Sequence, residues 1–352
     1  FQSSLLTAVG AFGKGAPFKE CVTHGWTVDG EGKAMHKSAG NGMDPAEVID
    51  KYGADILRLW AANTDYHADV RCSHDIFKQL SQNYLKFRNT ARYCLGNLDG
   101  FDPNHLTAPG EMEELDRWAV TRLNALMEKC FAAYDEYEFL VATHAVNDFC
   151  VVDMSNFYLD VIKDRLYCDE KDGAPRRSAQ TALYLILDTM TRIMAPILCF
   201  TCDEIWQAMA HREGDDARNV LFNDMHQPFA DYALDDAAME RWAVIEALRD
   251  KVNAALEAAR SEKKIGKSLE AAVTVTVPEA EGWLAETPNL ADLLIVSQVT
   301  VQTGSEAAVE VRKAEGGKCE RCWKVLPAVG ADAEHPGLCP RCAAAVRSLP
   351  QF

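Results

Sequence analysis

The sequence predicts a mainly α chain: an antiparallel helical bundle, then a small α+β unit, then a short tail folded around a metal. Three observations carry this. Apolar residues recur at helical spacing through most of the stretch from Ser73 to His211. The period changes to two at Val273, Val275 and Val277. Two C-x-x-C pairs, Cys319/Cys322 and Cys339/Cys342, lie near the end of the chain.

The first seventy or so residues are mixed and glycine-rich. Asp44-Pro45-Ala46-Glu47 reads as a helix start, with Asp44 as cap, Pro45 in the first turn and Glu47 closing a capping box. Tyr52-Gly53 interrupts, and Ala54 to Ala62 resumes the helical pattern. Ile76, Leu80, Tyr84, Phe87, Ala91 and Leu95 fall on one helix face, with Gly96 as the natural stop. Helices follow over Leu115–Tyr134, Phe139–Tyr167 and Arg176–Leu198, joined by the turn Asp99–Pro103 and the linker Lys171–Pro175. Short connections between long amphipathic helices predict antiparallel packing. Ala182–Phe200 is the most apolar stretch, but Asp188, Arg192 and Pro196 argue for a buried helix rather than a membrane span. His211–Asn219 reads as a polar surface loop.

Trp242, Ile245, Leu248, Val252, Leu256 and Ala259 form the apolar stripe of a helix over Ala237–Glu262. Val273–Val277 then alternates as a half-buried strand that Pro278 ends, and Leu293–Val301 and Ala308–Val311 are further strand candidates.

The chain carries 36 Lys+Arg against 53 Asp+Glu, a net charge of −17, which excludes a generic basic nucleic-acid coat and a polybasic membrane binder. A local basic patch stays compatible with that average. Phe1 opens the sequence and no basic segment precedes an apolar run, so no secretory leader is expected, and the missing Met suggests a processed chain or a piece of a longer one. The cysteines outside the two terminal pairs are expected as free thiols of a reducing cytoplasm. Cys199-Phe200-Thr201-Cys202 is expected at the end of the apolar helix as a pair of packing thiols.

Sixteen residues, 323 through 338, separate the two terminal C-x-x-C pairs. Two such knuckles can converge on a tetrahedral four-thiolate site, which suits structural zinc and leaves no open position for catalysis. Rubredoxin-type iron is the chemical rival, although Ala343 stands where that knuckle has glycine. Arg312, Lys313, Lys318, Arg321, Lys324, Arg341 and Arg347 make this tail locally basic. They serve either as compensation for four thiolates or as phosphate contacts.

Gly30–Gly42 is a glycine-punctuated loop containing Lys37, ahead of a capped helix. Its composition suits a mobile anion-binding segment, although it is not a standard P-loop. Around it, His24-Gly25-Trp26, Asp29-Gly30, Met35-His36-Lys37-Ser38-Ala39-Gly40-Asn41, Asp44-Pro45 and Tyr52-Gly53-Ala54-Asp55-Ile56-Leu57-Arg58-Leu59-Trp60 together resemble the KMSKS region of class I aminoacyl-tRNA synthetases. Phe87-Arg88-Asn89-Thr90-Ala91-Arg92, Phe157-Tyr158-Leu159-Asp160, Lys163-Asp164-Arg165-Leu166-Tyr167-Cys168, Ile265-Gly266-Lys267-Ser268-Leu269-Glu270-Ala271 and the closing cysteine pairs narrow the resemblance to the bacterial isoleucyl group, over essentially the whole chain.

The resemblance implies that residues 1–72 are the end of a Rossmann-like catalytic domain. It makes 73–236 an anticodon-binding bundle, 237–312 a helix plus small α+β junction domain, and 313–352 a zinc-binding tail. Ala34, Met35, His36, Lys37 and Ser38 would then be the ATP-binding loop, with Lys37 as its catalytic group. Ala34 and His36 depart from the motif's first lysine and its serine, and Lys33 stands one position early. Lys86, Arg88, Arg92, Tyr93, Arg260, Lys263, Lys264 and Lys267 become candidate tRNA contacts. The implied partners are tRNA(Ile), ATP with magnesium and isoleucine, with one structural zinc, in a cytoplasmic monomer. The family's HIGH motif, most of its amino-acid pocket and its editing domain have no counterpart here. The chain therefore reads as a C-terminal portion, inactive alone. A valyl, leucyl or methionyl relative is the sibling expectation, and a non-catalytic tRNA-binding or zinc-ribbon scaffold is the alternative of another class.

Overall fold

The structure, a computed structural model, describes residues 2–349 apart from the Lys37 side chain. The chain divides into two units, Phe1–Tyr84 and Leu85–Phe352.

The first unit opens with α1 (Gln2–Leu6), which runs into a π turn over Thr7–Ala11. Strand β1 (Thr27–Val28) is followed by α2 (Pro45–Tyr52), α3 (Ala54–Ala62) and β2 (Val70–Arg71). The two strands pair in parallel, Thr27 opposite Val70 and Val28 opposite Arg71, so the two helices form a crossover between parallel strands. Gly25 lets the chain enter β1: a Cβ there would lie 2.2 Å from the Ala68 carbonyl oxygen. Val48, Ile56, Cys72, Phe77 and Leu80 form the core, the last two from the start of α4 (His74–Asn97). Asp44 caps α2 as expected, accepting from the Ala46 N–H at 2.9 Å. Glu47 does not close a capping box; its carboxylate instead meets His74 Nε2 at 3.3 Å.

In the second unit α4 continues to Asn97, and α5 (Glu114–Asp135) packs against both α6 (Phe139–Asp148) and a later helix. The single helix expected over Phe139–Tyr167 is broken. After α6 a π segment covers Phe149–Tyr158, then come α7 (Leu159–Val161) and α8 (Lys163–Cys168). Within the wide segment Ser155 Oγ donates to the Cys150 carbonyl, five residues back, at 2.7 Å. Helix α9 (Ala174–Met194) takes Pro175 into its first turn, where the missing N–H costs nothing. Every residue from Ser178 to Met194 is buried, so the most apolar stretch is the central helix of the bundle. No helix among the described residues is long and apolar enough to cross a membrane.

Pro196 lies past the end of α9, and Cys199-Phe200-Thr201-Cys202 opens a separate helix, α10 (Cys199–Ala208), rather than ending the previous one. Cys202 is buried and Cys199 half-buried, which fits packing thiols. The loop at His211–Asn219 is not a passive surface. Arg212 reaches Asp188 of α9 at 3.0 Å, and Asp215 pairs with the buried Arg192 at 2.7 Å. A polar loop was expected because charge pattern alone does not show that its partners sit inside the bundle.

Helix α11 (Asp236–Ser261) buries the predicted stripe, and Asp235 caps it through the Ala238 N–H at 2.8 Å. Strand β3 (Ala271–Val277) is followed by α12 (Leu290–Leu293), β4 (Gln298–Thr303) and β5 (Ala308–Lys313). The sheet order is β4-β3-β5, parallel on one side of β3 and antiparallel on the other. The strand expected from Leu293 begins only at Gln298. Asn289 takes a left-handed conformation that starts α12, and Leu293, Leu294 and Val296 are buried before the strand begins. A two-stranded hairpin, β6 (Gly317–Lys318) with β7 (Val325–Leu326), and α13 (Pro340–Arg347) complete the tail.

Candidate metal centre and nucleic-acid interface

The β6–β7 hairpin carries the first cysteine pair on its turn. The Cys319 N–H donates to the Lys324 carbonyl and the Trp323 N–H to the Cys319 carbonyl, each at 2.9 Å, which folds the knuckle. Cys339 caps α13 and donates its N–H to Cys319 Sγ at 3.4 Å. All four sulfurs are buried and lie within 4.8 Å of one another, with Cys322 and Cys339 Sγ 3.9 Å apart. A tetrahedron with metal–sulfur bonds of about 2.3 Å needs sulfurs about 3.8 Å apart, so the donor set fits zinc. Burial pushes the Cys319 thiol up, but the N–H groups of Cys322, Cys339 and Arg321 outweigh it and hold the thiol below its ordinary value. Ala343 is buried inside α13, so no left-handed residue is called for after Cys342.

Few apolar groups surround this cluster: Leu326, Val329, Leu338 and the fifth thiol, Cys168 of α8. Ion pairs complete the docking. Arg321 donates to the Cys168 and Tyr167 carbonyls, and Lys324 pairs with Asp292 and lies 3.5 Å from Asp164. Arg341 pairs with Asp164 and Asp169, and Arg347 with Asp332 and Glu334. Four of the seven basic side chains of the tail therefore face acids and carbonyls of the chain itself. Arg312, Lys313 and Lys318 stay exposed.

The glycine-punctuated loop of the first unit is tied rather than loose. Asp29 Oδ1 accepts from the N–H groups of Glu31 and Lys33, at 3.0 and 2.9 Å. Its Oδ2 accepts from Asn41 Nδ2 at 2.8 Å. Asn41 in turn holds the Ala34 carbonyl and the His36 N–H, at 3.1 and 3.0 Å. These bonds, that from Asn41 first, keep the Asp29 carboxyl below its usual range. Lys37 begins a single 3₁₀ turn, Lys37–Ala39, and its side chain lies outside the described part. Lys33 pairs with Glu31 at 2.7 Å, both well exposed. The glycine-rich composition suggested a mobile segment, and only the pairing of Asp29 with Asn41 reveals a closed loop.

Three family profiles match in sequence order. Residues 1–73 match the class I tRNA synthetases for I, L, M and V. Residues 116–275 match the anticodon-binding domain of tRNA ligases, and 316–345 the zinc finger found in FPG and IleRS. The isoleucine–tRNA ligase of Geobacter sulfurreducens is 48% identical over 361 residues, covering 99% of this chain and 38% of that protein. Over nearly its whole length the chain is similar to isoleucine–tRNA ligases. Those of Caldanaerobacter subterraneus and Geobacillus thermodenitrificans are 46% and 47% identical, each over 97% of this chain and 38% of the relative. The chain thus spans about two fifths of the length of the isoleucine–tRNA ligases it matches. Its four-cysteine cluster lies within the segment matched to that zinc finger, which supports structural zinc.

The candidate tRNA residues separate by environment. Lys86, Arg88 and Arg92 project exposed from α4, Arg88 and Arg92 one turn apart. Tyr93 is half-buried, and its hydroxyl donates to the Leu159 carbonyl at 3.1 Å. Arg260 is engaged by Glu257 and Ser268, and Lys264 by Glu262 at 2.7 Å. Lys263 is exposed in a left-handed conformation. Lys267 lies over the Trp323 ring at 5.5 Å. Trp323 itself is 56% exposed at φ 65°, a conformation that costs a bulky residue about 1 kcal/mol. An exposed indole in a strained position next to a lysine suits stacking on an unstacked base. Sequence reasoning passed over it, although a tryptophan directly after a C-x-x-C pair was visible.

Proposed function

We propose that this chain serves an isoleucine–tRNA ligase as the lysine loop of its catalytic domain and as its tRNA-reading modules. The match to isoleucine–tRNA ligases over 99% of this chain carries the proposal. In the first step the isoleucine carboxylate would attack the α-phosphorus of magnesium-bound ATP, releasing pyrophosphate and forming isoleucyl-adenylate. In the second, the terminal ribose hydroxyl of tRNA(Ile) would attack the acyl carbon and AMP would leave. Lys37 is the group assigned to the negative charge that grows on the departing pyrophosphate. Ala34, Met35, His36 and Ser38 shape the loop around it. Asp29 and Asn41 support this by fixing the loop's base, so little ordering remains when ATP binds.

The modules proposed are residues 1–72 for ATP, 73–236 for the anticodon bundle, 237–312 for the junction and 313–352 for the zinc tail. Lys86, Arg88, Arg92, Lys263 and Lys267 are the proposed phosphate contacts, with Trp323 as the stacking platform. Arg260, Lys264 and Tyr93 support their neighbours. A cytoplasmic monomer is the proposed setting, in keeping with twelve cysteines that form no disulfide. The test is Lys37→Ala in a complete ligase. Isoleucine-dependent ATP–pyrophosphate exchange should fall by roughly 10²–10³. An unchanged rate rejects the assignment.

A further inference from the structure

A cleft of the second unit has no part in the function proposed above. It encloses about 900 Å³ among the start of α5, α8, α11, α12 and α13, a size that suits a small organic ligand. Two indoles line it. Trp242 is buried and its Nε1 donates to Glu114 Oε1 at 2.9 Å, so its polar edge is engaged and only apolar ring is left for a ligand. Trp283 is half-buried.

The arginines of the lining are already matched. Arg165 pairs with Asp116 at 2.7 Å and Arg341 with Asp164 at 2.6 Å, and Arg241 lies 3.9 Å from Glu114. Three carboxylates of the lining, Glu113, Glu170 and Glu286, form no ion pair among the described residues. A cleft with apolar walls and unmatched negative charge concentrates cations. Indole faces favour the same charge. Thr287 also lines the cleft, and its buried Oγ1 has no hydrogen-bond partner among the described residues.

We propose that this cleft binds a free organic cation with a flat apolar body, of the aryl-amidine or aryl-guanidine class. The planar fork would pair with a rim carboxylate, as guanidinium groups do with carboxylates elsewhere in this chain. The ring would lie among Trp242 and Trp283. Because the walls come from the bundle, from the helix before the sheet and from the zinc tail, the ligand would tie these parts together and raise the unfolding temperature.

Benzamidine is the probe, with neutral benzamide and anionic benzoate as controls of the same shape, on the full chain loaded with zinc. Binding is followed by ligand-observed NMR and by thermal unfolding. Benzamidine should bind saturably and more weakly as salt rises. Benzamide should bind about tenfold more weakly, and benzoate not at all. Trp283→Ala and Glu286→Gln should each weaken benzamidine about 3- to 30-fold. Both positions are partly or fully exposed, and circular dichroism with zinc content verifies folding. Trp283→Phe and Glu170→Gln stand in for a variant that fails. No saturable binding of benzamidine up to about 10 mM overturns the proposal. So does benzoate binding as well as benzamidine, or variants that bind like the parent.

Discussion

Arg341 of α13 and Asp164 of α8 stand 177 residues apart in sequence and form a two-pronged pair. Arg341 Nη1 donates to Asp164 Oδ2 at 2.6 Å and Nη2 to Oδ1 at 2.8 Å. Lys324 reaches the same carboxylate, so two basic residues of the zinc tail converge on one acid of the bundle. Burial alone would raise the Asp164 carboxyl, but Arg341 and Lys324 outweigh it and hold it below its ordinary value.

Arg341→Ala should therefore loosen the tail without unfolding the bundle. Charge-assisted, partly exposed bonds of this kind contribute about 1–2 kcal/mol. Zinc release to a chelator should quicken about 5- to 30-fold. Arg341→Lys should recover only part of the loss, since an ammonium cannot offer two parallel donors. Release as slow as in the parent would show that the pair contributes nothing to docking.

Asp188 gives the pH-dependent prediction. It is fully buried, 2.7 Å from both Arg192 Nε and His226 Nε2, and 3.0 Å from Arg212. Burial raises its carboxyl, but His226 and Arg192 outweigh that, and the folded value lies below the ordinary 3.8. A carboxyl depressed by folding contributes stability that is complete above its unfolded value and fades as pH falls through the folded one. Asp188→Asn should cost about 3–5 kcal/mol at pH 7, because Arg192 and Arg212 lose a buried partner. The gap between parent and variant in urea unfolding should narrow below about pH 4. A gap that stays constant down to pH 3 would refute the account.

The zinc site yields the third prediction. Elemental analysis should find about one zinc per chain, and Cys322→Ser should abolish most of it. Leu326, Val329 and Leu338 are too small a core to hold the tail without metal. Metal removal should expose residues 313–349 to protease, while far-UV dichroism keeps the helical signal of the bundle. Equal protease resistance of the stripped chain would show that docking, not zinc, folds the tail.

Much of this was legible in the sequence because it is periodic or local. The stripe from Trp242 to Ala259, the alternation at Val273–Val277, the cap at Asp44 and the two cysteine pairs each depend on neighbours within a few residues. What failed was equally physical. A strand was expected at Leu293 because a short apolar run does not distinguish a buried turn from a strand. One helix was expected over Phe139–Tyr167 because helical periodicity does not register a widened turn.

The sequence by itself determined the main helical stripes, the alternation of the central strand and the spacing of the two cysteine pairs, since each depends on neighbours along the chain. Only the tertiary structure decided what the charges do. In sequence the basic tail suited thiolate compensation and phosphate contact equally, and the structure shows Arg321, Lys324 and Arg341 engaged instead on α8 and α12. The loop at His211–Asn219 looked exposed until Arg212 and Asp215 were seen to join Asp188 and Arg192. An ion pair depends on distance in space, and residues 177 apart in sequence become neighbours only when the bundle and the zinc tail close on each other.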